Sequence, residues 1–385
     1  MSNNMSSFHM PSVNLFGSGS INEAGAKLKE LGAKKTLLVT DEGLHSLGLS
    51  EKIAEIIREA GVEVFIYPKA EPNPTDKNVE DGLKAYQDEN CDSITTLGGG
   101  SSHDAGKAIG IVASNGGTIH DYEGVDQSEN PMVPLIAINT TAGTGSEFTK
   151  FTIITDVKRK VKMAIIDKHV TPSLSINDPD LMMNKPAGLT AATGLDALTH
   201  AIEAYVSIDA TPMTDALAIH AMKIIPKYLP RAVANGQDME AREQMAYAQS
   251  LAGMAFNNAG LGCVHAIAHQ FGGFYNLPHG VCNAILLPHV SRFNLMAKID
   301  RYADIAEFLG EKVEGLSEYD AALLAISSIE RLSELLNIPS GFKEMGADEA
   351  DIPTLAENAM KDVTEATNPR RPTLEEVKEI IKNAM

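Results

Sequence analysis

Residues 93–101 read Ser-Ile-Thr-Thr-Leu-Gly-Gly-Gly-Ser, a short β-type run that passes directly into three glycines. A helical pattern follows from about Asp104 to Ala113. A strand, a glycine-rich turn and a helix in this order are typical of an α/β layer, in which parallel strands are covered by helices.

The segments around this unit repeat the same alternation. Further strands are predicted at Lys35–Thr40, Val62–Tyr67 and Val133–Asn139, and further helices at about Ser50–Ala60 and Val79–Glu89. After Pro186 the β-type runs disappear. Helices rich in Ala, Leu, Met, Glu and Lys are then predicted over Ala187–Val206, Pro212–Tyr228, Met239–Phe256, Cys263–Phe274 and most of Ala297–Met385.

These patterns predict two domains, as the length of 385 residues also suggests. An α/β domain with a parallel sheet and flanking helices should occupy residues 1–185. An all-α domain should occupy residues 186–385.

Composition excludes several classes of partner. Asp and Glu number 51 against 32 Lys and Arg, which gives a net charge of −19. Such an acidic chain is a poor match for nucleic acid or for an anionic membrane surface. No apolar run reaches the length of a membrane span, and the N-terminus lacks the pattern of a signal peptide. With three cysteines and no disulfide framework, we expect a cytoplasmic protein.

Two polar segments at predicted strand ends indicate a phosphate-binding site. The glycines at 98–100 would let the backbone approach an anion, and the next helix would supply free N–H groups. The segment Asn139–Glu147 is rich in Thr, Ser and Gly and follows another strand. Ligands of open α/β sheets bind beside such strand ends. The alternative is a plain turn, and the G-x-G-x-x-G fingerprint is not present.

Asp41 stands at the end of the predicted strand Lys35–Thr40. An acidic residue there commonly accepts hydrogen bonds from ribose hydroxyls. A helix N-cap or a solvated loop residue explains it equally well.

Histidines in the C-terminal half indicate a metal site. Asp196 and His200 are four residues apart in a helical segment and share one face, although a solvent-exposed stripe would look the same. His265 and His269 repeat this spacing among apolar neighbours, and His279 follows at a predicted turn. One carboxylate with imidazoles suits Fe²⁺, Zn²⁺ or Mn²⁺. The spacing alone leaves open which histidines bind. Cys263 and Cys282 are interpreted as small buried residues rather than ligands.

Together these motifs resemble the iron-containing (group III) alcohol dehydrogenases, and most closely the members that act as 1,3-propanediol, ethanol or methanol dehydrogenases. The similarity runs from Pro11 to Arg370. It is carried by the segments Gly98–Lys107, Asn139–Glu147, Ala192–Glu203, Gly260–Gly273 and Pro278–Gly280.

The resemblance implies roles for individual residues. The metal would be held by Asp196, His200, His265 and His279, with His269 near the metal without being a principal ligand. Because His269 lies one helical turn from His265, we expect it to act as a catalytic proton relay, the alternative being a packed core histidine. The NAD contacts would fall on Asp41, Asn73, Gly99, Gly100, Ser101, Thr140, Thr141, Thr144, Phe151 and Lys162. Phe256 and Leu261 would line the alcohol pocket. The N-terminal domain would then be the dinucleotide-binding domain.

The function expected from this resemblance is reversible hydride transfer between NAD and short primary alcohols or diols. One divalent metal per chain is expected, Fe²⁺ first and Zn²⁺ second, in a homodimer or a higher homo-oligomer. The alternatives are a polyol or lactaldehyde-type oxidoreductase with a more polar pocket, a non-catalytic NAD-binding filament protein, and a metal-dependent lyase that releases no NADH.

Overall fold

A six-stranded parallel sheet forms the centre of the N-terminal half in the computed structural model, which describes residues 6–385. Its strands are β1 (Val13–Phe16), β2 (Lys35–Val39), β3 (Glu63–Tyr67), β4 (Ser93–Gly98), β6 (Leu135–Asn139) and β9 (Leu174–Asn177). They lie in the order β1-β9-β6-β4-β2-β3. The predicted fold class is confirmed.

A second, three-stranded sheet was not predicted. It consists of β5 (Gly124–Val125), β7 (Phe151–Asp156) and β8 (Val161–Ile166), in the order β5-β8-β7. Strands β7 and β8 form an antiparallel hairpin. Strands β1 and β9 were also not predicted. They are only four residues long and pair with each other across about 160 residues of chain, so neither gives a strong local signal.

The described part of this half has five α-helices beside the sheets, namely α1 (Ala24–Glu30), α2 (Glu42–Ser46), α3 (Leu49–Glu59), α4 (Asp76–Asp88) and α5 (Gly100–Asn115). The apolar side chains of this half form two separate clusters. One contains Leu37, Ile94 and Ile109, and the other contains Leu38, Ile136 and Ile57. Because adjacent residues of a strand point to opposite faces, the two clusters lie on the two sides of the sheet.

The second half is helical. It comprises α6 (Ala187–Val206), α7 (Pro212–Ala234), α8 (Met239–Ala259), α9 (Cys263–Tyr275), α10 (His279–Asn294), α11 (Ile299–Phe308), α12 (Glu318–Leu335), α13 (Ile352–Ala359) and α14 (Leu374–Asn383). One continuous apolar cluster joins these helices. None of the described helices is both long and apolar enough to cross a membrane.

The sheet positions three loops beside one another. The chain leaves β2 for the edge strand β3 and then returns to β4 on the other side of β2. The loops after β2, β4 and β6 therefore open at the same edge of the sheet, around a point where the strand order reverses. Such a crevice is the usual ligand site of open α/β sheets.

Candidate metal and nucleotide site

The three glycines after β4 allow very close packing between two loops. Gly98 has φ +151, and a Cβ atom there would lie 2.4 Å from Oγ of Ser102. A Cβ on Gly99 would lie 2.8 Å from Thr141, and one on Gly100 2.8 Å from Thr144. Since α5 begins at Gly100, its free N–H groups are exposed between these loops. The arrangement suits a phosphate group.

This edge of the sheet opens into a cleft of about 750 Å³ between the two halves of the chain. A smaller inner pocket of about 110 Å³ adjoins it. Asn73, Gly100, Ser101, Thr144 and His279 line both spaces, so the cleft and the inner pocket are contiguous.

The structure places most of the predicted site residues at these two spaces. The cleft is also lined by Asp41, Gly99, Thr141 and Asp196. The inner pocket is also lined by Phe151, Lys162, His200, Phe256, Leu261, His265 and His269. Thr140 lies apart from both. It is buried, lines a third and much smaller cavity, and accepts a hydrogen bond of 3.4 Å from Lys185.

Asp41 is a helix N-cap, which is one of the two interpretations that the sequence left open. Its Oδ1 atom accepts a hydrogen bond of 2.9 Å from the backbone N–H of Leu44 and caps helix α2. Its Oδ2 atom lies on the other side, 3.7 Å from the position that a Cβ on Gly98 would occupy. One carboxylate oxygen therefore remains available to a ligand in the cleft.

Lys162 and Asn73 connect the two halves at the mouth of the inner pocket. Nζ of Lys162 donates a hydrogen bond of 2.8 Å to Oδ1 of Asn73. Nδ2 of Asn73 donates one of 2.8 Å to Asn276, three residues before His279. Burial lowers the pKa of Lys162. A Cβ on Gly272 would lie 2.9 Å from Cε of Lys162, so glycine lets this lysine pass close to α9.

Asp196, His200, His265 and His279 converge at the base of the inner pocket. Their ligand-type atoms all lie within 4.8 Å of one another. Oδ1 of Asp196 is 3.9 Å from Nε2 of His200, 3.9 Å from Nε2 of His265 and 3.6 Å from Nε2 of His279. Helix α6 supplies the first two residues, α9 supplies His265, and His279 is the first residue of α10 rather than part of a turn.

The three imidazoles of this cluster are suited to ligation. Burial lowers the pKa of His200 to about 4 and that of His265 to about 3, and it holds the pKa of His279 well below its ordinary value. They are therefore neutral near pH 7, with lone pairs on nitrogen. Three neutral imidazoles and one carboxylate form the donor set of a divalent transition metal.

His269 lies beside this cluster, one helical turn after His265. Its ring centroid is 6.0 Å from that of His265 and 5.6 Å from that of His279. Nδ1 of His269 donates a hydrogen bond of 2.9 Å to Oδ2 of Asp362. Since a carboxylate only accepts, Nδ1 carries a proton in this contact, and Nε2 is the ring nitrogen left for another partner.

Aromatic rings form one wall of the inner pocket. The ring of Phe256 stacks on that of His200 at a centroid distance of 4.3 Å. Phe151 meets Phe256 edge to face at 5.6 Å. The wall is therefore apolar and rigid next to the carboxylate and imidazoles.

Several polar residues at the site were not predicted from the sequence. Asp362 and Thr364 come from the loop after α13, about 90 residues from His269 along the chain, and nothing local marks them. Asn283 is fully buried and donates a hydrogen bond of 2.7 Å to Asp196. Glu203 did have a signal, because it continues the helical face of Asp196 and His200.

Known proteins that resemble this chain do so over its full length. Residues 11–179 match the iron-containing alcohol dehydrogenase family, and residues 190–385 match its C-terminal part. An NAD-dependent methanol dehydrogenase of Bacillus methanolicus is 58% identical over 381 residues, which are 99% of this chain and 100% of the relative. A 1,3-propanediol dehydrogenase of Citrobacter freundii is 53% identical over 386 residues, and both chains are covered in full (100%).

A solved structure gives the same result. The crystal structure of a 1,3-propanediol oxidoreductase superimposes with a TM-score of 0.97 at 51% sequence identity, covering 99% of this chain and 100% of the other. Sequence and fold agree over both halves of the molecule. The chain belongs to the iron-containing alcohol dehydrogenase family.

Proposed function

We propose that this chain is an NAD-linked, metal-dependent alcohol dehydrogenase that interconverts short primary alcohols or diols and their aldehydes. The observation that carries the proposal is the convergence of Asp196, His200, His265 and His279 at the base of a narrow pocket. That pocket opens into a cleft with the features of a nucleotide site. The names of the similar dehydrogenases support the same reaction.

The metal in this proposal is a single divalent ion per chain, Fe²⁺ first and Zn²⁺ second. Asp196 and the three histidines would hold it, because their donor atoms are close, buried and of the right chemistry. When bound, the ion supplies a Lewis acid that lowers the pKa of a substrate hydroxyl.

The cleft in this proposal binds NAD, which supplies the hydride acceptor. Gly99, Gly100 and Ser101 at the start of α5 would hold the pyrophosphate with backbone N–H groups. Asp41 would accept hydrogen bonds from the adenosine ribose through its free oxygen. Thr141 and Thr144 would complete the polar wall, and Asn73 with Lys162 would border the nicotinamide end.

In this proposal the inner pocket selects short substrates mainly because it is small. Its volume is about 110 Å³, against about 750 Å³ for the adjoining cleft. Phe151, Phe256 and Leu261 give it an apolar wall that disfavours long or branched chains. Nε2 of His269 would accept the hydroxyl proton at the opposite side.

Three further features belong to the proposal. The boundary between a dinucleotide-binding domain and a metal-binding domain lies at residues 185 and 186, between the short turn ending at Met182 and helix α6. The active form is a homo-oligomer. The site of action is the cytoplasm, which suits three free, buried cysteines.

A panel of alcohols tests this function. Ethanol, 1-propanol and 1,3-propanediol are expected to reduce NAD faster than 2-propanol, glycerol or a bulky secondary alcohol. Faster turnover of glycerol or 1,2-propanediol would favour a polyol or lactaldehyde-type enzyme. Absence of NADH formation with every alcohol would contradict the proposal.

A further inference from the structure

Helix α6 carries a third titratable side chain, Glu203, on the same side as Asp196 and His200. Asp196, His200 and Glu203 are spaced by four and three residues, so their side chains leave the helix in the same direction. Glu203 is 3% exposed, although charged side chains are rarely buried without a partner. Neither the hydride transfer nor the ligand set accounts for it.

Glu203 makes two strong contacts with the start of α9. Its Oε2 atom lies 2.5 Å from Nδ1 of His265. Its Oε1 atom accepts a hydrogen bond of 2.7 Å from the backbone N–H of Val264. One carboxylate therefore holds both the imidazole of His265 and the backbone next to it.

The backbone of α9 is shaped to admit this carboxylate. The residue before the helix is Gly262, and a Cβ there would lie 2.9 Å from Oε1 of Glu203. The cap residue Gly262 offers no side-chain hydrogen bond to the helix. Glu203, which belongs to helix α6, instead accepts the hydrogen bond from the N–H of Val264 in the first turn. Asn368 likewise accepts a hydrogen bond of 3.1 Å from the N–H of Cys263.

The contact with the backbone of Val264 requires Oε1 of Glu203 to be an acceptor. The N–H of Val264 can only donate. If Nδ1 of His265 also donates to Glu203, its Nε2 is left with a lone pair that faces Asp196 and His279. Within residues 6–385, Nδ1 of His200 and of His279 has no side-chain partner. His265 alone among the three has its ring fixed in this way.

We propose that Glu203 is the positioning residue of the metal site, which sets the tautomer and the orientation of His265 and thereby the affinity for the metal. The inference rests on the metal site of the proposed function. A carboxylate behind a ligating imidazole also raises its basicity, and loss of such a partner typically costs about tenfold to 100-fold in metal affinity.

Glu203→Gln tests this with zinc as the probe, measured by competition with a chelator on the purified full-length protein. The glutamine keeps the size of the side chain but has one acceptor and one donor, so it satisfies only one of its two neighbours. The affinity for Zn²⁺ is expected to fall about tenfold to 100-fold.

Glu147→Gln is the matched control. Glu147 is also fully buried, and its Oε1 atom accepts hydrogen bonds from Asn139 at 2.8 Å and from Gln249 at 2.6 Å, but it has no hydrogen bond to a histidine. This variant is expected to bind zinc like the wild type. Equal losses in both variants would mean general destabilisation and would overturn the inference, as would wild-type affinity in Glu203→Gln.

Two further results are distinguishable. A wild-type protein that binds no zinc at all contradicts the proposed metal site itself, independently of Glu203. If Glu203→Gln does not fold, Glu203→Asp takes its place, because the shorter carboxylate reaches only one of the two donors. Faster release of zinc to the chelator is expected from that variant, and a release rate equal to that of the wild type would overturn the inference.

Discussion

Asp41 caps a helix with one carboxylate oxygen and leaves the other toward the cleft, so its charge and its structural role can be separated. Asp41→Asn keeps an acceptor for the N–H of Leu44 but removes the negative charge that should repel the 2′-phosphate of NADP. The kcat/KM of NADP relative to that of NAD is expected to rise about tenfold or more, since a relieved like-charge contact is worth at least ~1.4 kcal/mol.

Asp41→Gly should also reduce the preference for NAD over NADP. This variant should lose the N-cap of helix α2 as well. Coenzyme preference is read from initial rates at varied NAD and NADP. A wild-type enzyme that prefers NADP, or an unchanged ratio in Asp41→Asn, would show that Asp41 does not meet the ribose.

His269 lines the inner pocket, and its Nδ1 atom is held by Asp362. Burial alone would raise the pKa of Asp362, but the contact with His269 and the hydrogen bonds from Thr364 hold that pKa below its ordinary value, so the acceptor stays ionised. In His269→Gln the side chain still forms hydrogen bonds but cannot carry a proton. The kcat for alcohol oxidation is expected to fall by about 10²-fold or more, with a changed pH dependence and an unchanged metal content.

Metal content and kcat separate the possible roles of His269. Loss of the metal in His269→Gln would make this residue a ligand. Wild-type kcat with a wild-type pH profile would make it a packing residue.

At the scale of elements, the loop after β6 touches helix α8 backbone to backbone. A Cβ on Gly253 would lie 2.9 Å from Cα of Gly145, which itself has φ +62. Gly253→Ala must displace the loop that carries Thr141 and Thr144. A destabilisation of about 1–3 kcal/mol is expected, together with weaker NAD binding.

Gly188→Ala is the control for this prediction. Gly188 lies in α6 with open space around its Cβ position. Its replacement should leave the melting temperature and the Kd for NAD unchanged or raise stability slightly. If Gly253→Ala melts and binds NAD like the wild type, the close contact has no energetic importance.

The elements also show what the sequence could predict. Strands such as β2 and β4 were found because each is a continuous run of buried residues that ends in a turn signal. The hairpin of β7 and β8 was not predicted. Buried and half-buried residues alternate in β7, β8 ends in four consecutive buried residues, and the two strands are defined mainly by their pairing with each other. The four converging side chains were named from the resemblance to the family, since their spacing alone left the choice of histidines open. Asp362 could not be named, because only the folded chain brings it to His269.

At the scale of the whole molecule, strand β1 is the open edge of the six-stranded sheet. Within residues 6–385 it pairs only with β9, and Val13 is 44% exposed. An open edge is a common place for a second chain to pair. Light scattering at micromolar concentration is expected to give at least twice the chain mass of 41.2 kDa.

Val13→Lys should shift the equilibrium between oligomer and monomer toward the monomer, because a charge on an edge strand opposes pairing with a second chain. Leu47→Lys, at an exposed position between α2 and α3, serves as the control and should leave the mass unchanged. A wild-type mass of 41.2 kDa would contradict the expected assembly.

We propose that one metal ion, held by Asp196 and three histidines, makes this chain an alcohol dehydrogenase. Titrating chelator-stripped, anaerobic protein with Fe²⁺ while NADH formation from 1,3-propanediol and NAD is recorded tests it most directly. Activity is expected to rise in proportion to added iron and to level off at about one equivalent per chain, while His265→Ala stays inactive throughout. Full activity of the stripped protein, or equal recovery in His265→Ala, would contradict the account.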